Sequence, residues 1–451
     1  MLAILKALLR KLSASKQGTE LAKGSALLLA AKVFGAVSGY LMAWLLAKRG
    51  GADVVGIYEL AFTFIVLLSV FARYGLDTAI VRFIGKFEAE GRPGAVRWLY
   101  ARSLRFSSVF ALIIAVIIFV AAPLLSHIFS DEDNLTAPLR WAAATIPLFT
   151  LINMNAETLR GFRQMLPYSL LQQGSVIFVA VIIFAFLWNK NAVGLSGVQS
   201  FFMASIVLYG YSQYQVYRKF GNLPRLQIPR VTFDKVRKVA WPMFLSSSIF
   251  MLISWTDTLM VGYFLDDADV GIYRIAFRIS TVITFAQFAI NGIAAPMIAS
   301  TYHAGDLDGL RNLIQKVGLF NFVFSVPILL LILLVPGFLL GLFGAEFVEG
   351  KSLLLTLSAG QAVFALSGPV LYILTMTKHE KAALTIMYIT AALNLLGNAV
   401  LIPIMGLQGA AVATTVTTTL WNVLAVILVY KYLRIISVPF LDKLLARKQS
   451  N

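Results

Sequence analysis

The sequence predicts an all-α integral membrane protein: twelve transmembrane helices in two parallel six-helix bundles around a central cavity. Three observations predict it. The composition is 59% hydrophobic and only 13% charged, whereas a soluble domain carries about a quarter charged residues. Twelve predominantly apolar runs each reach the ~20 residues that cross a ~30 Å hydrocarbon core as a helix. Short motifs also recur at a nearly fixed displacement, dividing the chain into two like halves.

The runs lie near 24–46, 54–80, 104–128, 137–160, 168–188, 194–217, 239–264, 270–296, 317–343, 352–376, 381–404 and 408–432. Loop charge orients them, because Lys and Arg stay on the cytoplasmic side. Segment 82–105 carries Arg82, Lys86, Arg92, Arg97, Arg102 and Arg105, and segment 218–238 carries Arg218, Lys219, Arg225, Arg230, Lys235, Arg237 and Lys238. Both are expected inside. The acidic stretches SDEDN (Ser130–Asn134) and DDAD (Asp266–Asp269) then fall outside, and both termini lie in the cytoplasm. The net charge of +17 is therefore a topology signal; nucleic-acid binding needs a concentrated basic patch on a suitable fold, and none is expected.

Five segments follow. Residues 1–23 place Leu2, Leu5, Leu9 and Leu12 on one helical face, with Lys6, Arg10 and Lys11 elsewhere. This reads either as an interfacial helix on the inner leaflet or as a frayed polar terminus; Lys6 and Arg10 interrupt any signal-peptide core. A six-helix bundle over 24–220, a cytoplasmic linker over 221–238, a second bundle over 239–433 and a cytoplasmic tail over 434–451 complete the layout. The chain has no cysteine and only His127, His303 and His379 as imidazole sources. Disulfides and cysteine-bound metals are excluded, and no metal or other cofactor is expected.

The tetrapeptide VGIY occurs at Val55–Tyr58 and again at Val270–Tyr273, 215 positions on (270 − 55). Leu60-Ala61-Phe62 is matched by Ile275-Ala276-Phe277. GLSG (Gly194–Gly197) and GLQG (Gly406–Gly409) repeat at 212 (406 − 194). Each motif opens the same span of its half. Six spans is an even number, so the halves are parallel repeats, the architecture of secondary transporters whose two bundles rock around a central site. The glycines suit loop-to-helix turns and read as fold markers, while Tyr58 and Tyr273 are expected as interfacial anchors.

The segment DTLMVGYFL (Asp257–Leu265), followed by DVGIYRIAFR (Asp269–Arg278), resembles the seventh-to-eighth span region of the polysaccharide branch of the multidrug/oligosaccharidyl-lipid/polysaccharide exporter superfamily. RYGLDTAIVRFIGKF (Arg73–Phe87) is similar to the end of that branch's second span. The major facilitator signature fits less well: GKFEAEGR (Gly85–Arg92) has Ala89 where its Asp belongs. Within the exporter superfamily the chain resembles Wzx-type O-antigen and polysaccharide-unit flippases. The resemblance implies translocation of an undecaprenyl-pyrophosphate-linked oligosaccharide to the outer leaflet of a bacterial inner membrane. It further implies alternating access coupled to H+ or Na+, with a polysaccharide polymerase and chain-length machinery as downstream partners. Lipid II flippases of the superfamily usually carry fourteen spans, which the twelve expected here do not match.

A charge at mid-bilayer costs ~2.5–3.5 kcal/mol on insertion scales, so each needs a partner or a watery cavity. The flippase resemblance makes Lys32, Arg73, Arg274 and Arg278 the candidate ligands of pyrophosphate or acidic sugars. Lys32 lies about two turns into the first span, facing the cavity or snorkelling to the inner boundary. Arg274 and Arg278 share a helical face, and their alternative is an outer-rim pair balanced by the acidic loop. Shifting Glu59 by 215 lands on Arg274, and these opposite charges are expected to approach when the outer side closes; a charge-swapped double variant that fails to restore activity would count against this.

Arg73 with Asp77, and Glu157 with Arg160, have the spacing of local ion pairs, either structural or functional. Asp257 has no basic residue three or four positions away on its own helix and suits ion coupling or pairing across helices. Asp77, Glu59 and Glu157 join it as coupling or gating candidates. The amides Gln287 and Asn291, and Asn394 and Asn398, fit either sugar binding or bonds between helices at ~0.6 kcal/mol each. Pro242, Pro296, Pro327 and Pro369 are expected to kink their spans.

No phosphate-cradling G-x-x-x-x-G-K-[ST] loop exists to bind ATP, and the chain reads as a transporter and not an enzyme. Two alternatives stand beside the flippase. A cation or drug antiporter of the same superfamily predicts an acid-lined cavity. A membrane-embedded glycan polymerase or ligase predicts a sizeable outer loop, and the outer loops here are short.

Overall fold

A computed structural model of the chain describes residues 16–92, 94–130, 134–187, 193–221 and 232–438. Most of the expected N-terminal interfacial helix, the middle of the linker and the end of the tail lie outside these residues. The described residues are helical, joined by short turns, with no strand among them. Chain contacts divide the protein into two compact units, Met1–Gly271 and Ile272–Asn451.

The first unit opens with α1 (Lys16–Arg73), whose 58 residues are far longer than the ~20 that span a bilayer. Gly51 breaks it with φ 74 and ψ −166, between the expected first and second spans. A second interruption follows: Tyr74 (φ 52) and Gly75 (φ 72) are both left-handed and separate α1 from α2 (Leu76–Ala89). Helix α2 is amphipathic, burying Leu76, Ala79, Ile80, Phe83, Ile84 and Phe87 while Arg82, Lys86, Glu88 and Glu90 are exposed. That face packs with Val96, Leu99, Met154, Phe162, Val236 and Ala240 in one core.

Next come α3 (Ala95–Phe129), α4 (Thr136–Gly161), the short α5 (Met165–Leu170), α6 (Gln173–Leu187) and α7 (Val193–Gly221). The last complete helix of this unit is α8 (Phe233–Phe264), which packs on α1, α2 and α3. It bends by 42° between Ile249 and Met251, so Pro242 lies before the bend and not at it.

Helix α9 (Asp267–Thr281) crosses the unit boundary. It is followed by a 3-10 turn (Val282–Thr284) and then by α10 (Phe285–His303), α11 (Leu307–Leu334), α12 (Pro336–Gly341), α13 (Lys351–Ser367), α14 (Val370–Met376), α15 (Glu380–Met405) and α16 (Leu407–Leu433). Two breaks in this second unit are stapled by side chains. Ser325 Oγ donates to the Ile283 carbonyl in the 3-10 turn at 2.6 Å. Gln287 Nε2 donates at 2.8 Å to the carbonyl of Gly368, whose φ of 76 ends α13 beside Pro369 at a 41° bend. Among the described residues, six helices are long and apolar enough to cross a membrane, or eight with each bent pair taken as one span.

The repeat motifs sit in matching surroundings. Tyr58 stacks on Phe62 at 5.8 Å and 13°, and Tyr273 on Phe277 at 6.1 Å and 15°. The tyrosines are only 4% and 1% exposed, which corrects the expectation of interfacial anchors. The apolar ring body is buried against a ring one turn on, and the Tyr273 hydroxyl lies 3.3 Å from Thr414 Oγ1. GLSG packs directly on the first VGIY: a Cβ at Gly197 would stand 3.1 Å from the Tyr58 ring.

Gly75 is the most constrained of the turn glycines. A Cβ there would lie 2.3 Å from the Ala240 carbonyl oxygen and 2.6 Å from the Phe244 nitrogen, in a backbone conformation that already disfavours side chains. Gly75→Ala is expected to lower the thermal unfolding midpoint in detergent, by the equivalent of about 1–3 kcal/mol. Gly85→Ala, where nothing lies within 4 Å, should leave the midpoint unchanged or raise it slightly.

Candidate functional site

The first unit gathers four charges and a tyrosine where α1, α2, α4 and α5 meet. Arg73 closes α1, and its Nε lies 3.0 Å from Asp77 Oδ2, with side chains 9% and 17% exposed. Asp77 sits in the first turn of α2, where the helix dipole favours an anion, and its Oδ1 accepts from the Thr78 nitrogen at 2.8 Å. Glu157 and Arg160 form the second pair in the last turns of α4, Oε2 to Nη2 at 2.7 Å. Arg160 is thus placed where the helix dipole favours a cation.

The two pairs are electrically coupled. Glu157 lies within electrostatic reach of Asp77, Arg73 and Tyr168 of α5 as well as of Arg160. The Arg160 guanidinium also lies 5.5 Å from the centre of the Tyr168 ring. The formal charges of the four groups sum to zero. At such a site a phosphate or carboxylate would have to displace a resident carboxylate to reach either guanidinium.

Beside the cluster runs a polar chain through three helices. Tyr100 Oη donates to Asn155 Oδ1 at 2.7 Å, Asn155 Nδ2 to Ser212 Oγ at 2.8 Å, and Ser212 Oγ to the Tyr209 carbonyl at 2.8 Å. Asn155 is two residues before Glu157, so this chain fixes the end of α4 that carries the acid. Sequence spacing gave no sign of it, nor of Tyr168.

The other candidates are spread over both units. Lys32 is exposed on α1, whereas Glu59, on the second half of that helix, is buried. Asp257 is buried on α8. Arg274 is buried and Arg278 half-buried on α9, in the second unit; the Arg274 guanidinium lies 5.7 Å from the Phe277 ring centre. Of the eight candidates, Arg73, Asp77 and Glu157 are brought together, with Arg160 and Tyr168 added by the fold. The paired amides act between and along helices: Asn398 Nδ2 donates to Asn394 Oδ1 at 3.2 Å and Asn394 Nδ2 to Thr417 Oγ1 at 3.4 Å.

The helices and their order define a class, the all-helical, multi-span membrane proteins, and the fold is shared with solved structures of that class. The solved structure of the lipid II flippase MurJ in an inward closed conformation matches with a TM-score of 0.73 at 14% identity, covering 90% of this chain and 87% of its own. An inward-facing multidrug resistance MATE family transporter of the MOP superfamily matches with a TM-score of 0.68 at 15% identity, covering 91% and 98%. In sequence, the probable low-salt glycan biosynthesis flippase Agl15 of Haloferax volcanii is 23% identical over 436 residues, covering 90% of this chain and 82% of its own length. The family model described as polysaccharide biosynthesis protein matches residues 21–302, and that described as MatE matches residues 242–400. The chain belongs to the polysaccharide biosynthesis protein family.

Removing Arg73 alone strands Asp77 in a nearly buried position. Arg73→Ala should lower the unfolding midpoint in detergent by the equivalent of about 2–4 kcal/mol, and Arg73→Ala/Asp77→Ala should recover a good part of the loss. A double variant no more stable than the single would show that the pair contributes no coupling.

Proposed function

We propose that the protein flips a polyprenyl-linked oligosaccharide from the cytoplasmic to the outer leaflet by alternating access. The observation that carries this reading is the polysaccharide biosynthesis match over residues 21–302, supported by likeness to a relative described as a glycan biosynthesis flippase. In its bacterial form the cargo is an O-antigen or related surface-polysaccharide unit on undecaprenyl pyrophosphate in the inner membrane. A polymerase with its chain-length machinery then receives the product. The Haloferax volcanii relative, described as a probable glycan biosynthesis flippase, extends the glycan reading beyond that membrane. The proposed topology is twelve spans in bundles 24–220 and 239–433, with both termini cytoplasmic.

Lys32, Arg73, Arg274 and Arg278 are the proposed cationic ligands. Arg73 is the most conditional of them, because Asp77 must release it first. Asp257, Asp77, Glu59 and Glu157 are the proposed acids of H+ or Na+ coupling or of gating, and Asp77 and Glu157 lie in ion pairs. A second reading, cation or drug antiport, draws on the MatE match over 242–400.

Deleting the gene in its host separates the two readings. Lipid-linked oligosaccharide should accumulate on the cytoplasmic face, measured with a membrane-impermeant glycan probe on intact and inverted membranes. Wild type should reverse the accumulation and Lys32→Ala or Arg278→Ala only poorly. An unchanged glycan distribution together with new sensitivity to cationic compounds would select the antiporter.

A further inference from the structure

Two helix-ending turns, one in each unit, are built to the same plan. In the first unit the chain leaves α4 through Arg163, whose φ is 60, and the Gln164 nitrogen donates back to the Leu159 carbonyl at 2.9 Å. In the second it leaves α14 through Lys378, whose φ is 67, and the His379 nitrogen donates back to the Leu374 carbonyl at 2.9 Å. A return bond of this span around one left-handed residue is the Schellman ending of a helix, where glycine is the usual occupant. Lys378 is Arg163 displaced by 215 (378 − 163), the displacement of the VGIY motifs, and Leu374 is Leu159 displaced by the same 215 (374 − 159).

Each turn lies against the end of a long helix. Phe162, next to Arg163, packs on Phe220 of α7 with ring centres 6.1 Å apart, and Lys219 Nζ lies 4.9 Å from the centre of the Phe162 ring. His379, next to Lys378, stacks on Tyr432 of α16 at 4.2 Å and 17°. Lys431 precedes Tyr432 as Lys219 precedes Phe220, at a displacement of 212 (431 − 219), that of GLSG and GLQG. Each turn thus keeps one cation at its left-handed position and a second on the neighbouring helix end. Among the described residues, none of these four cations is in an ion pair.

A cation anywhere in the last turn of a helix gains from the dipole, and topology asks only that it lie on the inner side. Neither calls for the one backbone position where a side chain is disfavoured. Arg163, Lys378 and Lys431 are exposed, and Leu166 and Leu170 on α5 and Leu384 on α15 are exposed as well. Exposed cations therefore adjoin exposed aliphatic surface, as a boundary between head groups and acyl chains requires.

We propose that the two turns bind the phosphate head groups of anionic phospholipids in the cytoplasmic leaflet, one lipid to each turn. The choice of leaflet rests on the proposed topology. Arg163 with Lys219, and Lys378 with Lys431, supply the charge, and the adjoining leucines meet the acyl chains. A head group held between the two cations ties the end of α4 to that of α7, and the end of α14 to that of α16.

Phosphatidylglycerol and phosphatidylcholine can be titrated into the full chain in detergent, with bound lipid counted by native mass spectrometry. Wild type should prefer phosphatidylglycerol, and Arg163→Gly/Lys378→Gly should lower that preference about fivefold or more. Each single variant should lose one retained lipid, while Arg163→Lys keeps both. Arg82→Gln/Arg102→Gln removes equal charge from exposed positions on α2 and α3 and should leave the preference unchanged; an equal drop there would show diffuse attraction and overturn the proposal. Inorganic phosphate that displaced phosphatidylglycerol as well as the lipid itself does would assign the turns to a soluble anion, also against it.

Unfolding midpoints without added lipid test a purely structural role. Glycine relieves the left-handed backbone, so both glycine variants should unfold at the wild-type midpoint or above it. A lower midpoint would make the side chains part of the fold and overturn the site. None of these measurements involves a glycan, so a wrong cargo would fail the deletion experiment and leave them intact.

Discussion

The structure depends on one constraint: in hydrocarbon every backbone N–H and C=O must find a partner inside the protein. Straight helices meet it automatically, so attention falls on the places where helices stop being straight. At Tyr74-Gly75 the chain recovers at once, with the Tyr74 nitrogen donating to the Phe71 carbonyl at 3.1 Å and the Ala79 nitrogen to the Gly75 carbonyl at 3.0 Å. At Ile283 and Gly368 the freed carbonyls are taken by Ser325 and Gln287. Two polar residues of these apolar spans thus stand opposite a break.

The same economy governs charge. Two ions buried together are tolerable only with good geometry, and losing one partner is worse than losing both. Arg73 with Asp77 and Arg160 with Glu157 meet that condition at the ends of helices whose dipoles favour the resident sign. A neutral cluster generates little field at a distance, however. On the transport reading, attraction of an anionic head group must then come from Lys32, Arg274 and Arg278, and the cluster serves as a local exchange of partners.

Much of this was legible in the sequence because bilayers leave strong marks: long apolar runs, asymmetric loop charge, and ionisable residues three or four apart. The pairs Arg73–Asp77 and Glu157–Arg160 were readable from helical spacing alone. Tyr168 and the Tyr100–Asn155–Ser212 chain were not, because their residues come from different helices and no local period links them. Tyr58 and Tyr273 were misplaced at the interface for a related reason. A repeat reveals that two positions have the same surroundings without revealing what those surroundings are.

The repeat also separates what packing requires from what chemistry requires. Tyr58 on Phe62 and Tyr273 on Phe277 stack at nearly the same angle, and Gly56 and Gly271 meet backbone in reciprocal fashion. At the very next position after each tyrosine the symmetry is abandoned: Glu59 in one half is Arg274 in the other. Steric fit constrains both copies of a repeated packing contact alike, since the same small residue is needed in each. The repeat thus keeps its glycines and aromatics in register and lets its ionisable residues diverge, both within five residues of the motif.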